Sequence, residues 1–270
     1  VTAPEETAVT KPWKPFALAG ALGLVAVAAL AADAPAPTGY LSASEVPAGP
    51  AYVPPPPADG SARAQADHQI FLDTRALRDT PRWTLAQRDA DIDPRGAARL
   101  FDCPLNARLG EDQPPALTRL LTRIFVDVSA SYVPAKDLYK RPRPVVGNDL
   151  PVCVPRDEHL AKSFSYPSGH SSISWAWTLA MAEMEPDRAA AILKRGAAIG
   201  DSRVVCGVHY VSDVEAGRRV GAAVFAAEQN APEFQADLRA ARAEIDARRA
   251  DGKTDPVCTA EDAALKTPIG

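Results

Sequence analysis

Lys136, Arg143 and Arg203 are three cations that one phosphate group could bridge, and His170, His209 and Asp213 are residue types that could transfer it. They fall in three short blocks: Lys136–Pro144 (KDLYKRPRP), Pro167–His170 (PSGH) and Ser202–Asp213 (SRVVCGVHYVSD). A phosphate monoester dianion needs donors on its non-bridging oxygens, and needs them more as charge shifts outward in the transition state. Arg143 and Arg203 supply paired donors in a planar fork, and Lys136 supplies a point charge. In the second block a Ser-Gly turn precedes an apolar helical stripe. Backbone N–H groups near Ser168 and Gly169 are therefore expected to point outward from a helix N-terminus, with Gly169 letting the chain approach an anion closely. His209 and Asp213 are four apart, so on a helical turn the carboxylate accepts from one ring nitrogen and leaves the other with an oriented lone pair. A histidine so held can attack phosphorus, while His170 protonates the leaving alcohol and then activates water. His68 and His159 are read as structural.

Lys136-x6-Arg143-Pro144, Pro167-Ser168-Gly169-His170 and Ser202-Arg203-x5-His209-x3-Asp213 together resemble the three-part signature of the phosphatidic acid phosphatase type 2 and vanadium haloperoxidase superfamily. More narrowly, Ser165–His170, the Arg75–Arg82 stretch (RALRDTPR) and Ala135-Lys136-Asp137 are similar to the bacterial class A non-specific acid phosphatases, over roughly residues 61 to 230. The resemblance implies a metal-independent acid phosphatase that hydrolyses phosphate monoesters without a cofactor. It also implies that His209 becomes a phosphohistidine, that Asp213 orients it, and that His170 is the general acid. Lys136, Arg143, Ser168, Gly169 and Arg203 would bind phosphate. Arg141, in a duplicated Arg-Pro pair, is a rival to Arg143, though the spacing from Lys136 favours Arg143. The competing readings are a vanadate-dependent haloperoxidase, a lipid phosphatase and a non-catalytic phosphate-binding module. The short chain and class A-like flanks disfavour the first, the lack of several spans the second, and the intact His/His/Asp set the third. The expected partner is a small-molecule phosphomonoester, with transphosphorylation to alcohols as a further outcome and homo-oligomerisation left open.

These blocks need a scaffold, and the composition favours helices. Ala is very frequent and only 6% of the chain is aromatic, which suits helices packed through small side chains. The formal net charge of −4 argues against a nucleic-acid partner. Lys11 and Lys14 precede the apolar run Phe16–Ala32, and Ala29-Leu30-Ala31 has a small-x-small pattern. Residues 1–31 therefore read as a secretory signal peptide, with a membrane anchor as the rival, and the mature chain as periplasmic or secreted without a membrane span. Residues 32–60 are Pro/Ala-rich and read as a linker or unpacked N-terminal arm. A helical phosphatase domain over 61–250 and a C-terminal tail over 251–270, to which no role is assigned, complete the division.

The fold expected for 61–250 is all-α, a single helical bundle. Ile70, Phe71, Thr74 and Leu77 recur at helical spacing, and Thr80-Pro81 opens the next helix. Asp93-Pro94 repeats that device before a short helix ending near Phe101. Apolar stripes predict core helices over Pro115–Tyr132 and from Ile173 to a stop at Pro186. Further helices are expected over Pro186–Ile199 and Asp213–Gln229, the latter opened by a Ser212-x-x-Glu215 capping box, with Gly217 and Gly221 allowing a neighbour to come close. Residues 232–250 read as a charged, solvated helix. Four cysteines in an exported chain suggest two disulfides, and of the three connectivities Cys153–Cys206 with Cys103–Cys258 is preferred, because the first ties the middle block to the third.

Overall fold

The computed structural model describes residues 36–110 and 113–269. The signal-peptide expectation for residues 1–31 lies outside the described residues, as does the side chain of His159. Among the described residues there are helices and no strands, so the all-α reading holds. No described helix is long and apolar enough to cross a membrane.

The chain runs through α1 (Gly49–Tyr52), α2 (Ala62–Asp73), α3 (Pro81–Arg88) and α4 (Asp102–Leu105) before the long α5 (Pro115–Tyr139). After a loop and the short α6 (Glu158–Lys162) come α7 (Gly169–Met184), α8 (Ala189–Val205) and α9 (Val211–Glu228). The closing pair is α10 (Pro232–Ala250) and α11 (Cys258–Ala264). The most apolar of the long helices, α7, sits at the centre and packs on α5, α8 and α9. Its Trp177 is fully buried and donates its indole N–H to the Leu121 carbonyl of α5 at 2.9 Å. Ile173, Ala176, Ala180 and Met181 fill the surrounding space with Leu117, Leu120, Leu121 and Ile124. Each fully buried Leu, Ile or Met side chain among these contributes about 1.5–3 kcal/mol of transfer free energy.

The two glycines of α9 explain how closely it meets α7. A Cβ on Gly217 would lie 2.6 Å from the Ser168 carbonyl oxygen, and one on Gly221 would lie 2.4 Å from that of Ser172. Both obstacles are backbone, so nothing flexible can move aside.

Several boundaries differ from expectation for identifiable reasons. α5 does not stop near Tyr132 but continues through Pro134, although an internal proline costs a backbone bond. Packing supports the extension: Ala135 is fully buried, and Gly49 of α1 lies against Ser131 and Ala135. Lys136 is thereby on the helix. α8 starts three residues after Pro186 and runs on to Val205, which puts Arg203 on its last turn. The Asp93-Pro94 device begins only a turn, and a 3-10 helix follows over Ala97–Phe101. The capping box of α9 uses Asp213, which accepts from the Tyr210 N–H at 2.8 Å. Ser212 and Glu215 are engaged elsewhere, with Asp67 and Arg63.

Two segments read as solvated are packed. α10 buries Phe234, Leu238, Ala241 and Ile245, one face of a helix whose other face carries the charges. The arm after residue 36 is strapped down rather than loose. Tyr40 stacks edge-on against Phe234 at 5.2 Å, bonds Asp237 through its hydroxyl at 2.8 Å, and donates its N–H to Asp127 at 2.7 Å. The disulfides are Cys103–Cys258 and Cys153–Cys206, as preferred.

Gly221→Ala is expected to lose about 1–3 kcal/mol through overpacking against the α7 backbone. Urea denaturation reads this as a lower midpoint at unchanged slope; an unchanged midpoint would show that α7 and α9 separate without cost.

Candidate active site

Five segments converge on one cleft of about 750 Å³. α5 delivers Lys136, the loop after it Arg143, the N-terminus of α7 Gly169 and His170, the last turn of α8 Arg203, and the turn before α9 His209; all six line the cleft. Ser168 and Asp213 stand behind it, fully buried. The loop carrying His209 is set by Arg75, which donates to the Val204 and Val205 carbonyls at 3.0 and 2.6 Å and so caps α8. Gly207 follows with φ +77°, and a Cβ there would also meet Arg75 at 2.4 Å.

The cleft floor holds positive charge away from water. Lys136 donates to the Phe164 carbonyl at 2.7 Å, and burial, reinforced by Arg143, pushes its ammonium down to about 7. Arg143 donates through Nε to the Ser163 carbonyl at 3.1 Å and through Nη1 to the Val208 carbonyl at 2.9 Å. Burial lowers it to about 10. Arg203 is lowered to about 9 by burial and by Arg143, and its Nε and Nη1 have no hydrogen-bond partner among the described residues. Buried guanidinium N–H groups left unpaired in this way are suited to an anion.

His209 lies between a cation and a carboxylate. Arg143 Nη1 is 3.0 Å from its Nε2. A guanidinium can only donate, so Nε2 is the acceptor and carries the lone pair, which puts the ring hydrogen on Nδ1. Nδ1 faces Asp213 Oδ2 at 3.4 Å and the Ser165 hydroxyl at 3.3 Å. Burial, followed by Arg143, Lys136 and Arg203, holds this imidazole well below the ordinary histidine range. His170 Nε2 is 2.8 Å from the Ala90 carbonyl, which only accepts, so Nε2 bears the hydrogen and Nδ1 is the other site for a proton. Burial and Arg203 lower that ring as well.

The turn at the start of α7 differs in detail from expectation. The Ser168 N–H is spent on the Asp213 carbonyl at 3.0 Å, and its hydroxyl caps α7 by accepting from Ser171. The first helical N–H groups without an intrahelical partner are therefore those of Gly169 and His170. Glycine at 169 leaves room for a neighbour: a Cβ would lie 2.7 Å from the Tyr132 ring, which would have to shift.

This layout, an activated histidine beside unpaired guanidinium donors and a helix N-terminus, suits phosphoryl transfer. The comparisons with known proteins agree. The PAP2 superfamily profile matches residues 116–233, which contain all three blocks. An acid phosphatase from Zymomonas mobilis is 38% identical over 79% of this chain and 82% of its own length. Non-specific acid phosphatases from Salmonella typhimurium and Providencia stuartii are 38% and 37% identical, over 72% and 76% of this chain and 78% and 84% of theirs. The chain belongs to the acid phosphatases of the PAP2 superfamily. Among solved structures, a transmembrane PAP2-type phosphatidylglycerolphosphate phosphatase from Bacillus subtilis is similar at 20% identity and a TM-score of 0.45, over 64% of this chain and 88% of that one.

Sequence spacing missed what stands behind the histidine of this acid phosphatase. Arg141, the rival to Arg143, is fully engaged away from the cleft: it bonds Asp213 Oδ1 at 2.6 Å, the Ser212 hydroxyl at 2.7 Å and Asp67 Oδ2 at 2.9 Å. Asp67, buried on α2, also accepts the Ser212 N–H at 3.0 Å. Ser165 donates its hydroxyl to Asp213 Oδ2. The signal available in the sequence for Arg141 was its duplicated Arg-Pro pair; for Asp67, on an amphipathic stretch far upstream, there was none.

Asp67→Asn should leave the helices formed but loosen Arg141 and, through it, Asp213. Hydrogen bonds to charged groups are worth about 1.5–3 kcal/mol, so kcat/KM on an aryl phosphate should fall on the order of ten- to a hundredfold, mostly in kcat. Wild-type kcat with normal helicity would separate Asp67 from the dyad.

Proposed function

We propose that this acid phosphatase hydrolyses phosphate monoesters through a phosphohistidine on His209. The observation that carries the reading is the His209 Nε2 lone pair, fixed by Arg143 on one side and by Asp213 on the other. In the first step Arg143 Nη1 turns from Nε2 to a phosphate oxygen, the freed Nε2 lone pair attacks phosphorus, and the phosphorus–oxygen ester bond breaks. The alcohol leaves with a proton from His170. In the second step water attacks the phosphohistidine, gives its proton to His170 and releases phosphate, restoring both rings. Where an alcohol takes the place of water, the same step is transphosphorylation. Lys136, Arg143 and Arg203, with the Gly169 N–H, hold the non-bridging oxygens, and Ser168 contributes by fixing the turn. Asp213 keeps the Nδ1 hydrogen in place as the imidazole bonds to phosphorus.

A dianion entering this floor reverses the logic of its pKa values. Unliganded, burial and then the cations keep protons off both histidines; bound phosphate offsets the cations and allows His170 to carry the proton that it must donate. The reading of residues 1–31 as an export signal, and of the mature chain as periplasmic or secreted, is supported by two disulfides that suit an oxidising compartment.

His209→Ala should abolish turnover of an aryl phosphate and leave the far-ultraviolet circular dichroism unchanged; substantial residual turnover would remove His209 from the chemistry. Vanadate, which adopts the geometry of the trigonal-bipyramidal transition state, should compete with substrate. A second test uses the sign of the Lys136 shift. Its ammonium is charged below about 7 and neutral above, so phosphate affinity should decline as pH rises through that value, chiefly as a rising KM. Lys136→Arg, which stays charged, should move that alkaline limb upward by at least one unit. An unmoved limb would assign it to another group.

A further inference from the structure

The cations of the cleft lie on its floor, and its walls are of a different character. Ile92, Phe125, Tyr132, Val133, Pro155 and Leu160 line the rest of it. The Tyr132 ring stands against Gly169, immediately beside the free helix N-terminal donors, and its upper neighbour Val133 is 42% exposed. The neutral polar groups of the wall are the hydroxyls of Tyr132 and of Ser163, the latter accepting from Arg143 Nε at 3.1 Å. Among the described lining residues no cation lies outside the set Lys136, Arg143 and Arg203. Two carboxylates complete the lining. Asp93 is neutralised by the Arg95 guanidinium, which donates to both of its oxygens. Asp157 is not: it accepts from the Leu160 N–H at 2.8 Å, while the neighbouring Arg156 turns away to the Val145 and Asn148 carbonyls.

We propose that the outer cleft is a leaving-group subsite for uncharged, apolar esters, aromatic ones above all, and that Asp157 makes it unfavourable for leaving groups carrying a second anion. The proposal rests on the phosphomonoesterase reading and adds a substrate class to it. The phosphoryl group occupies the floor, where every positive charge is already committed. The ester group then lies along the Tyr132, Phe125 and Leu160 side chains, where apolar contact is favourable and an additional carboxylate or phosphate finds no further cation. A second anion would also face the uncompensated charge of Asp157 across a partly solvated gap, where two like charges repel measurably and salt weakens the effect.

The test is steady-state kinetics of the purified full chain on phenyl phosphate and 4-carboxyphenyl phosphate at low ionic strength. The carboxylate is remote from the reacting bond and makes the phenol a slightly better leaving group, so a loss of rate cannot be chemical in origin. The expected kcat/KM ratio favours phenyl phosphate on the order of three- to tenfold, and it shrinks toward one in molar salt and in Asp157→Asn. Asparagine caps a helix as well as aspartate does, so this variant keeps α6. Benzyl phosphate should also show a KM on the order of tenfold below that of ethyl phosphate. A ratio of one or less at low salt, a ratio that Asp157→Asn leaves unchanged, or equal KM values for benzyl and ethyl phosphate would overturn the subsite. Failure to hydrolyse any of these esters would instead sink the phosphomonoesterase reading.

Discussion

Removing a cation from water is expensive, and this fold does it three times around one cleft. Lys136, Arg143 and Arg203 all have their charged forms disfavoured by burial. The carboxylate that faces them from the same site, Asp213, is already shared among several donors. The floor is consequently short of negative charge, and a phosphate dianion supplies it. That deficit has to be maintained by rigid packing, because a looser structure would let water or a nearby carboxylate relax it. The fully buried Trp177 and the glycine contacts between α7 and α9 supply the rigidity. They bring Ser168 on one helix to the Asp213 carbonyl on the other at 3.0 Å, so the phosphate-facing turn and the His209 support move as one body.

Asp213 is the point where the chain's separate blocks meet. Its two oxygens collect the Tyr210 N–H, the Ser165 hydroxyl, the Arg141 guanidinium and the His209 ring. Arg141 alone would draw the carboxylate's charge away from the imidazole. Asp67 opposes this by taking the second guanidinium nitrogen at 2.9 Å. The result is a carboxylate whose position is over-determined while part of its charge remains available to the ring. This division of labour also explains why Arg141 and Arg143, two residues apart, do different things. Residues two apart on an extended strand share a face, and here they do not: Arg143 lines the cleft while Arg141 reaches the support.

The residues in contact with the cleft were legible because their chemistry requires particular types at particular spacings. The four-residue step from His209 to Asp213 and the three-block arrangement are local or ordered patterns, and a sequence displays those directly. Helix existence was legible for the same reason, through apolar stripes on α5 and α7. What the sequence concealed depends on partners distant along the chain. Nothing near Asp67 indicates that Ser212 and Arg141 will surround it, and nothing near Gly169 indicates that Tyr132 occupies the space of its missing Cβ. The solvated reading of α10 failed because four buried residues among many charges give a weak average signal yet a complete apolar face. The arm at Tyr40 failed similarly: proline-rich composition describes the backbone, whereas one aromatic ring and two hydrogen bonds decide whether it packs.

The C-terminal segment illustrates the same distinction at larger scale. Read alone, residues 251–270 are an acidic tail. In the structure, Glu261 of α11 reaches the buried Arg195 at 3.0 Å, Arg195 grips Asp89, and Asp89 accepts the Ser202 hydroxyl at 2.6 Å. Asp89 is adjacent to Ala90, whose carbonyl holds His170, and Ser202 is adjacent to Arg203. The tail therefore closes a buried ionic network placed directly behind two residues of the cleft floor. The Cys103–Cys258 disulfide holds it there across a separation of 155 residues. On the chain-entropy account a loop of that length removes about 5 kcal/mol from the unfolded state, and the 53-residue loop closed by Cys153–Cys206 about 4 kcal/mol, each taken alone. Both cross-links thus fall where order is most costly. One backs the Arg195 network; the other ties the loop after Arg143 to the end of the helix carrying Arg203, and so restrains cations that would otherwise move apart.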